Sequence, residues 1–453
     1  VTGGSNSLTL STGDNVANTD ISASGAISGV TTLTLADIGG TATLSGDVDV
    51  TTLTVGNTVA NVAFTGNGSS VTNAFTPAND GTFVFGASGG TQTYNGGLTT
   101  TSVGGTVTLN GTIASSDDAI TLGAVTLGSN VTIDTNATTT NRADITIAAI
   151  TGGSNTLTLT TENNVTGTDI TASGNISGVT TLTLASVGGT ATFAGDVDVT
   201  TLTVDNTVAN VAINGDGSSV TNAVSFANDG TLQLGDATGD TLTFNGGLTT
   251  TSVGGTVTLN GEIETSNDAI VLGAVTLGSN TTIDTDASAN SADITIAAIT
   301  GGSNNLTLST GNNIAGADIT ASGAISGLGN LTLADVGGTA TFSNNVAVAA
   351  LSADNTVANI SFTGSTNTFS AASTLANDGT LTFGNSTDDS FTFNGGLTTS
   401  SVAGTVTLNT SISSSDDALT FGAITLGNNV TIDTNSTTTN RADITIAAVT
   451  GGS

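Results

Sequence analysis

Short stretches in which aliphatic residues alternate with threonine recur along the whole chain. LTL at residues 8–10 and 33–35 and ITI at residues 145–147 are three of them. This two-residue period places alternate side chains on opposite faces of an extended strand, so that one face is apolar and the other polar. No segment has apolar residues at i, i+3, i+4 and i+7 over three turns, as an amphipathic helix requires. The pattern therefore predicts an all-β protein.

A longer phrase repeats above this alternation. DITIAAITGGSN at residues 144–155 returns at residues 293–304, DITIAAVTGGS ends the chain, and VTGGSN opens it. Taking the join at Val1, Ile150, Ile299 and Val449, the periods are 149, 149 and 150 residues. The chain thus divides into repeat 1 (1–149), repeat 2 (150–298), repeat 3 (299–448) and the start of a further repeat (449–453). No stretch between repeats has the composition of a linker, which predicts one continuous array.

Within repeat 1 the alternating strand cores are spaced by about 25 residues, which is six coils per repeat and 18 in all. They begin near Leu8, Leu33, Leu53, Phe83, Val107 and Val131. Units of this size bury their apolar face by stacking on one another, and parallel stacking at ~4.8 Å gives a parallel β-helix, or β-solenoid. A β-sandwich would also have frequent turns, but the chain has no Trp, no Cys and no domain boundary. We expect inward ladders with these residues in the core: Phe83, Phe85, Leu232, Leu234, Leu381 and Phe383.

Charge and composition exclude several classes of partner. Thirty-five acidic residues against two arginines leave a formal net charge of −33, which repels nucleic acid and anionic membrane surfaces. The absence of cysteine excludes disulfides and most zinc sites. No run of about 18 apolar residues is present, so no direct membrane insertion is expected.

At the level of pattern the chain resembles a known group of proteins. Stretches such as DITASGNISGVTTLTLASVGGTATFAGDVDVTTLTV, residues 169–204, are similar to the β-strand repeats of bacterial surface proteins, the filamentous-haemagglutinin-like adhesins and related surface-layer or fibre proteins. The similarity covers the whole chain without a diagnostic motif. It implies a right-handed β-helix and an extracellular, cell-surface location, and it transfers no site residue.

Recurring aspartates are the candidate metal ligands. The phrase SSDDAI and its counterparts contain Asp117, Asp118, Asp268, Asp416 and Asp417. Calcium takes six to eight oxygen ligands, so carboxylates on adjacent coils together with loop carbonyls would form a site. The alternative is that Asp and Asn turn the chain by bonding to their own backbone and keep the surface soluble. No calcium-binding repeat with a diagnostic spacing is present.

Adjacent aspartates also suggest polysaccharide cleavage, which needs two carboxylates facing one glycosidic bond. Neighbours in a strand point to opposite faces, and the chain has no His and no Lys. A carbohydrate-binding groove would need aromatic platforms, but the chain has a single tyrosine, Tyr94, and no tryptophan. We therefore expect a protein that is not an enzyme and has no cofactor beyond calcium.

Two smaller features have weaker interpretations. Arg142 and Arg441 lie in the phrase TNRADITI, where each is expected to neutralise a neighbouring aspartate at a turn or, alternatively, to contact an acidic patch of a neighbouring molecule. Threonine pairs of the TxT type, on which ice-binding solenoids order water, are best matched at residues 41–43 and 91–93. Most strands are expected to present a single outward threonine.

These observations together predict a structural role. We expect a non-catalytic repeat segment of an extracellular surface fibre, filament or adhesin stalk that self-associates end to end or side to side. The first alternative is a calcium-dependent surface-layer or adhesin subunit. The second is a carbohydrate-binding or carbohydrate-cleaving β-helix, whose partners would be surface glycans.

Overall fold

The computed structural model describes residues 1–137, 142–437 and 441–451, and these residues form strands and turns without a helix. The chain contains two compact units. Unit 1 comprises Val1–Val220 and Ala227–Thr231, and unit 2 comprises Thr221–Phe226 and Leu232–Ser453. The predicted fold class is confirmed, since parallel strands stack as a β-solenoid of about 21 turns rather than 18.

Unit 1 is built from strands whose outward positions are mostly threonine and whose inward positions are mostly aliphatic or aromatic. They are β1 (Thr2–Ser11), β2 (Ile21–Ala23), β3 (Ile27–Ala36), β4 (Ile38–Leu44), β5 (Val48–Val55), β6 (Val59–Phe64), β7 (Ser70–Val71), β8 (Phe83–Phe85), β9 (Thr91–Tyr94), β10 (Leu98–Thr99), β11 (Val107–Ala114), β12 (Ile120–Asp134), β13 (Ile145–Thr151), β14 (Thr156–Thr160), β15 (Ile170–Ala172), β16 (Ile176–Ala185), β17 (Val187–Phe193), β18 (Val197–Val204), β19 (Val208–Ile213) and β20 (Ser219–Val220).

Unit 2 follows the same alternation. Its strands are β21 (Val224–Ser225), β22 (Leu232–Leu234), β23 (Thr241–Phe244), β24 (Leu248–Thr249), β25 (Val257–Glu264), β26 (Ile270–Asp284), β27 (Ile294–Thr300), β28 (Leu306–Ser309), β29 (Ile319–Ala321), β30 (Ile325–Ala334), β31 (Thr339–Phe342), β32 (Val346–Ala353), β33 (Asn359–Phe362), β34 (Thr366–Phe369), β35 (Ser373–Leu375), β36 (Leu381–Phe383), β37 (Ser390–Phe393), β38 (Leu397–Thr398), β39 (Val406–Leu408), β40 (Ser411–Ser413), β41 (Leu419–Leu426), β42 (Ile432–Asp433) and β43 (Ile444–Gly451).

Each turn has three strand faces, and each face pairs in parallel with the strand one turn later. In unit 1, Ile145, Ile150 and Leu157 belong to one turn and begin its three faces. Their partners one turn later are Ile170, Ile176 and Leu182. Inward side chains of successive turns therefore stack directly on one another, and each face becomes a continuous hydrogen-bonded ladder.

The turns are less uniform than the predicted 25 residues. Partners lie 18 residues apart between Val107 and Val125 but 26 apart between Ile150 and Ile176. The predicted count of six coils per repeat was low for two reasons. Phe83 lies on the ladder of Val62 and not on that of the Leu8 core. Two-residue strands such as β7 and β10 also have no room for the aliphatic-Thr-aliphatic signature.

A repeat does not contain a whole number of turns. In unit 1 the ladder of Ile21 runs for six turns to Ile150. The residue one repeat after Ile21 is Ile170, which lies two faces beyond Ile150 and pairs with Ile145. One repeat is therefore six turns and two faces. Unit 2 behaves alike, because Ile294 and its counterpart Ile444 lie on different ladders. Within each unit, residues at equivalent positions of successive repeats therefore lie on different faces, one face apart.

The core is filled as the alternation predicts. The six residues expected in the interior, from Phe83 to Phe383, are all fully buried. All 14 phenylalanines of the chain are buried, and in unit 1 the rings of Phe83 and Phe85 stack with centroids 4.0 Å apart. Burying apolar side chains at ~25 cal/mol per Å² supplies the main drive for stacking.

Tight corners between faces depend on glycine at a few positions. A Cβ on Gly39 would lie 2.1 Å from the carbonyl oxygen of Val16, in the preceding turn. The counterparts Gly188 and Gly337 meet backbone oxygens at 2.2 and 2.1 Å. No real Cβ can approach that closely, so any side chain here would force the adjacent turns apart.

Candidate functional site

The first pair of predicted calcium ligands lies in a turn that ends a coil. Asp117 has a φ of 64°, in the left-handed region that Asn and Asp tolerate best, and its N–H donates to Thr135 O of the next coil at 3.1 Å. Asp118 is exposed, and its backbone carbonyl accepts a hydrogen bond from the Ser115 hydroxyl. The backbone of this turn is therefore held by hydrogen bonds to its own and to the neighbouring coil.

The counterparts in unit 2 indicate what the side chain at the first position does. Asp416 Oδ1 accepts a hydrogen bond from Thr437 N at 2.5 Å, and Asn267 Oδ1 accepts bonds from Ser288 N and Ala289 N at 2.5 and 2.9 Å. A neutral amide in repeat 2 thus caps the same turn as a carboxylate in repeat 3. The turn requires an oxygen acceptor and no negative charge.

The aspartate at the second position lies beside a glycine in every repeat. Asp118, Asp268 and Asp417 each lie against a glycine of the preceding coil, and a Cβ built on that glycine would lie 3.4, 3.5 or 3.6 Å from the aspartate Cβ. The structure therefore does not assemble the five predicted residues into one site. Among residues 1–137, 142–437 and 441–451, no group of three or more His, Cys, Asp or Glu could hold a metal. Calcium binding at these aspartates stays a prediction.

Carboxyl groups do meet elsewhere in unit 1. Asp134 and Glu162 lie on adjacent coils, where Asp134 pairs in register with Thr160. The pKa of Asp134 is raised to about 6, mainly by burial, with a smaller contribution from the charge and the hydrogen bond of Glu162, while the N–H of Asn136, 2.8 Å from Oδ1, opposes the rise. Asp134 therefore keeps its proton to a higher pH than an ordinary aspartate.

Unit 2 has its own acidic patch on β25. Glu262 and Glu264 stand where repeat 1 has Thr112 and Ala114, and each accepts a hydrogen bond from a threonine hydroxyl of the preceding coil, at 3.5 and 2.6 Å respectively. The pKa of Glu262 is raised by burial and then by the charges of Glu264 and Asp284. A groove of about 240 Å³ runs beside Glu262.

A third feature is a groove next to a β-bulge. In unit 1 it measures about 300 Å³ and is lined by Gly29, Asp49 and several hydroxyls. Burial and the nearby charge of Asp47 raise the pKa of Asp49, whereas the Ser70 N–H lowers it. The equivalent groove of unit 2, about 280 Å³, has Ala347 in place of Asp49. A carboxylate is therefore not a constant part of this groove.

Of these acidic groups, the glutamates are not among the residues predicted to form a site, whereas Asp134 and Asp284 belong to the recurring aspartates from which the calcium candidates come. A signal was available, because the chain has only three glutamates and each stands where another repeat has a different residue type: Glu162 replaces Gly13 and Gly311, and Glu262 replaces Thr112. Residues that break the repeat were the useful indicator here. Residues that follow it, such as Asp117, serve the turn common to all three copies.

Ladders of hydroxyl groups cover much of the outer surface. In unit 1 one ladder runs through six consecutive turns: Thr91, Thr112, Thr132, Thr158, Thr183 and Thr203. Some strands present two outward threonines, since Thr156, Thr181 and Thr201 form a second ladder beside this one. The resulting two-column array of repeat 2 spans three turns.

The aromatic rings of the chain are all buried. Tyr94 is 2% exposed and all phenylalanines are buried, so no aromatic ring of the chain is available to stack on a sugar. Arg142 is exposed, and its guanidinium lies against Gly167 of the next coil. Arg441 is also exposed. The described surface consists mainly of hydroxyls, amides and scattered carboxylates.

A scan against protein-family models, a search of curated proteins and a search of solved structures each found no match to the chain. Within the described ranges, no helix is long and apolar enough to span a membrane. The class established for this chain is therefore a β-solenoid repeat protein, on the evidence of its fold.

Proposed function

We propose that the chain is a non-catalytic structural segment of an extracellular surface fibre or adhesin stalk of a bacterium. The observation that carries the proposal is the unbroken parallel ladder found in each unit, for example from Ile294 through seven turns to Val449. Backbone hydrogen bonds aligned along the stacking direction resist extension, and adding repeats adds length without new contacts.

The surface chemistry supports the same role. Outward hydroxyl ladders and a net charge of −33 keep a long array hydrated, and all aromatic rings are committed to the core. Neither a cleft with paired carboxylates nor an aromatic groove is found in the described residues, so carbohydrate binding or cleavage has little support.

Self-association is part of the proposal. The exposed large hydrophobics lie in the outermost coils, with Val1 and Val16 in unit 1 and Ile444 and Val449 in unit 2. A further coil of the same repeat would cover such side chains and pair with the strand edges. The partner that fits is therefore another copy of the repeat, joined end to end, with side-to-side contacts building fibres or lattices.

Electron microscopy with and without EDTA tests the proposal. We expect thin filaments that survive EDTA. Their axial period should be ~32 Å, from six and two-thirds turns at ~4.8 Å. The double variant Ile444→Asp/Val449→Asp should shorten the filaments, whereas the control Asp388→Asn, which changes an exposed carboxylate of unit 2, should not. Compact particles without an axial period would contradict the structural role.

The calcium-dependent alternative gives a different outcome in the same experiment. If the protein is a calcium-dependent surface-layer or adhesin subunit, chelation will dissolve the assemblies and millimolar Ca²⁺ will raise the melting temperature. Asp117→Asn/Asp118→Asn and Asp416→Asn/Asp417→Asn should then abolish the calcium-dependent rise. An unchanged melting temperature on adding Ca²⁺ would remove this alternative.

A further inference from the structure

One corner of each repeat contains a buried asparagine in the sequence Asn-Asp-Gly. These asparagines are Asn79, Asn228 and Asn377, spaced by 149 residues, and the relative exposure of each is 0%. Asn79 and Asn228 belong to unit 1, and Asn377 belongs to unit 2. A polar side chain fully removed from water needs partners for both ends of its amide.

The nitrogen end is fully used. Asn79 Nδ2 lies within hydrogen-bond distance of three backbone oxygens, those of Ala60, Gly81 and Thr82, at 3.3, 3.0 and 3.0 Å. The other two asparagines donate to the corresponding three carbonyls at 2.9 to 3.3 Å. Flipping the amide would place Oδ1 against three acceptors, so the orientation of the side chain is determined.

The oxygen end has no partner. Oδ1 of Asn79, Asn228 and Asn377 is buried, and no described protein group donates a hydrogen bond to it. The same unpaired atom occurs in all three copies, although other core positions differ freely between copies. Because the unpaired Oδ1 recurs at the same position of each repeat, it is a regular feature of this corner.

We propose that each Asn-Asp-Gly corner holds one internal water molecule that donates a hydrogen bond to the asparagine Oδ1. Buried waters occupy sites where protein polar groups lack partners, and they bond to two to four such groups. In unit 2 a second orphan is close in the fold. Thr399 Oγ1 is buried without a partner, and the turn that follows it, Thr399 to Val402, leads to Ala403, whose N–H donates to Asn377 O at 3.1 Å.

A cation fits this corner less well than water. Metal ions need several oxygen ligands, whereas one orphaned oxygen is found at each corner of unit 1. Thr100 and Thr250, the counterparts of Thr399, each accept a hydrogen bond from a glycine N–H, at 3.1 and 3.2 Å. The unpaired group common to the three corners is a single acceptor, to which a water molecule can donate one O–H.

A high-resolution crystal structure of the unmodified protein tests the proposal. We expect a solvent peak about 2.8 Å from Oδ1 at all three corners. Empty corners, at a resolution where other internal waters are seen, would overturn it. Crystals soaked in rubidium chloride provide a second reading, because an anomalous peak at Oδ1 would identify a monovalent cation and would equally overturn it.

A matched set of variants gives a reading in solution. If a water links Asn377 to Thr399, then Thr399→Val will lower the melting temperature by a few degrees, because the water loses a partner. If the corner is dry, the same substitution removes an unpaired hydroxyl and will raise it, which contradicts the proposal at this corner. Thr250→Val is the control, since it breaks an existing bond from Gly273 N and lowers the melting temperature in either case.

Discussion

Two coils at the same phase of the repeat, one in each unit, fill their cores in opposite ways. In unit 1 the strand β9 buries Gln92 and Tyr94, and in unit 2 the strand β37 buries Phe391 and Phe393 at the equivalent positions. The tyrosine hydroxyl donates to Gln92 Oε1 at 2.8 Å, and Gln92 Nε2 donates to Phe64 O at 2.9 Å. The polar core is therefore a closed pair of hydrogen bonds.

The apolar coil has ring contacts instead. Phe391 packs edge to face on Phe362 and Phe383, with centroids 5.9 and 5.2 Å apart. Both pairs of side chains fill equivalent positions in the core of their own coil. The comparison teaches that the fold requires inward side chains of suitable volume with every polar group paired, and does not require a particular chemistry at these positions.

The largest loss of stability is expected when only one member of the polar pair is placed in the apolar coil. Phe391→Gln removes the aromatic contacts and buries an amide without Tyr94 beside it, which should cost about 3–5 kcal/mol in the free energy of unfolding. Urea unfolding followed by circular dichroism measures the loss. Phe391→Leu, which copies Leu242 of repeat 2, is the control and should cost less than about 1.5 kcal/mol.

The double variant Phe391→Gln/Phe393→Tyr recreates the whole pair. We expect it to recover about 1–2 kcal/mol relative to the sum of the single variants, because each new polar group then has a partner. Strictly additive losses would show that the polar pair depends on features of unit 1 that unit 2 lacks.

The converse change in unit 1 should have a smaller effect. Gln92→Leu leaves the Tyr94 hydroxyl buried without an acceptor and should cost about 1–3 kcal/mol, while Phe64 O keeps its bond from Gly86 N. Gln92→Leu/Tyr94→Phe copies repeat 2 and should restore most of this loss. Tyr94 is the only tyrosine and the chain has no tryptophan, so for the single variant the intrinsic fluorescence reports unit 1 alone. If the double variant is as unstable as Gln92→Leu, unpaired polarity is not the cause.

A second difference between the units concerns charge. Asp134 has Glu162 beside it in unit 1, whereas Gly311 stands at the position equivalent to Glu162 in unit 2. Because the folded pKa of Asp134 is raised to about 6 from 3.8, its protonated form contributes stability that is present below pH 3.8 and lost as the pH rises through 6.

Asp134→Asn should therefore stabilise the protein above pH 6 by on the order of 1 kcal/mol, allowing for partial solvent screening, and should bring no gain near pH 3. Melting temperatures across this range measure the difference. Glu162→Gln should act in the same direction, and Asp388→Asn, which removes an exposed carboxylate, controls for net charge. A gain that does not depend on pH would contradict the raised pKa of Asp134.

The smallest effect expected at neutral pH concerns the ionisation of Tyr94. Burial raises the pKa of this phenol far above its ordinary value of 10, so the folded protein should show no tyrosinate absorbance as the pH passes 10. A raised pKa means that stability falls as the pH rises above 10, since only the unfolded chain can ionise. Tyrosinate should therefore appear together with unfolding, and ionisation without loss of β-structure would show that Tyr94 is open to water.

Local patterns were sufficient to predict the class of the fold and the contents of its core. The alternation of aliphatic residues with threonine predicted inward positions such as Phe85 and Leu234, and both are buried. The candidate site was less predictable. Asp117 belongs to a recurring phrase, and such a phrase indicates a turn that every repeat needs. The acidic contacts of Glu162 and Glu262 arise instead where one repeat differs from the others.

Side-chain alternation and self-similarity along the chain were enough to predict the all-β class, the parallel solenoid and the 149-residue repeat. Which turns lie on each other followed only from the three-dimensional structure. Turn lengths vary from 18 to 26 residues, so the register depends on corners where glycine backbones meet neighbouring carbonyls. That register places Ile21 and Ile170 on different faces and brings Asp134 beside Glu162. Neither result follows from the sequence pattern, because the pattern does not specify which turns are neighbours.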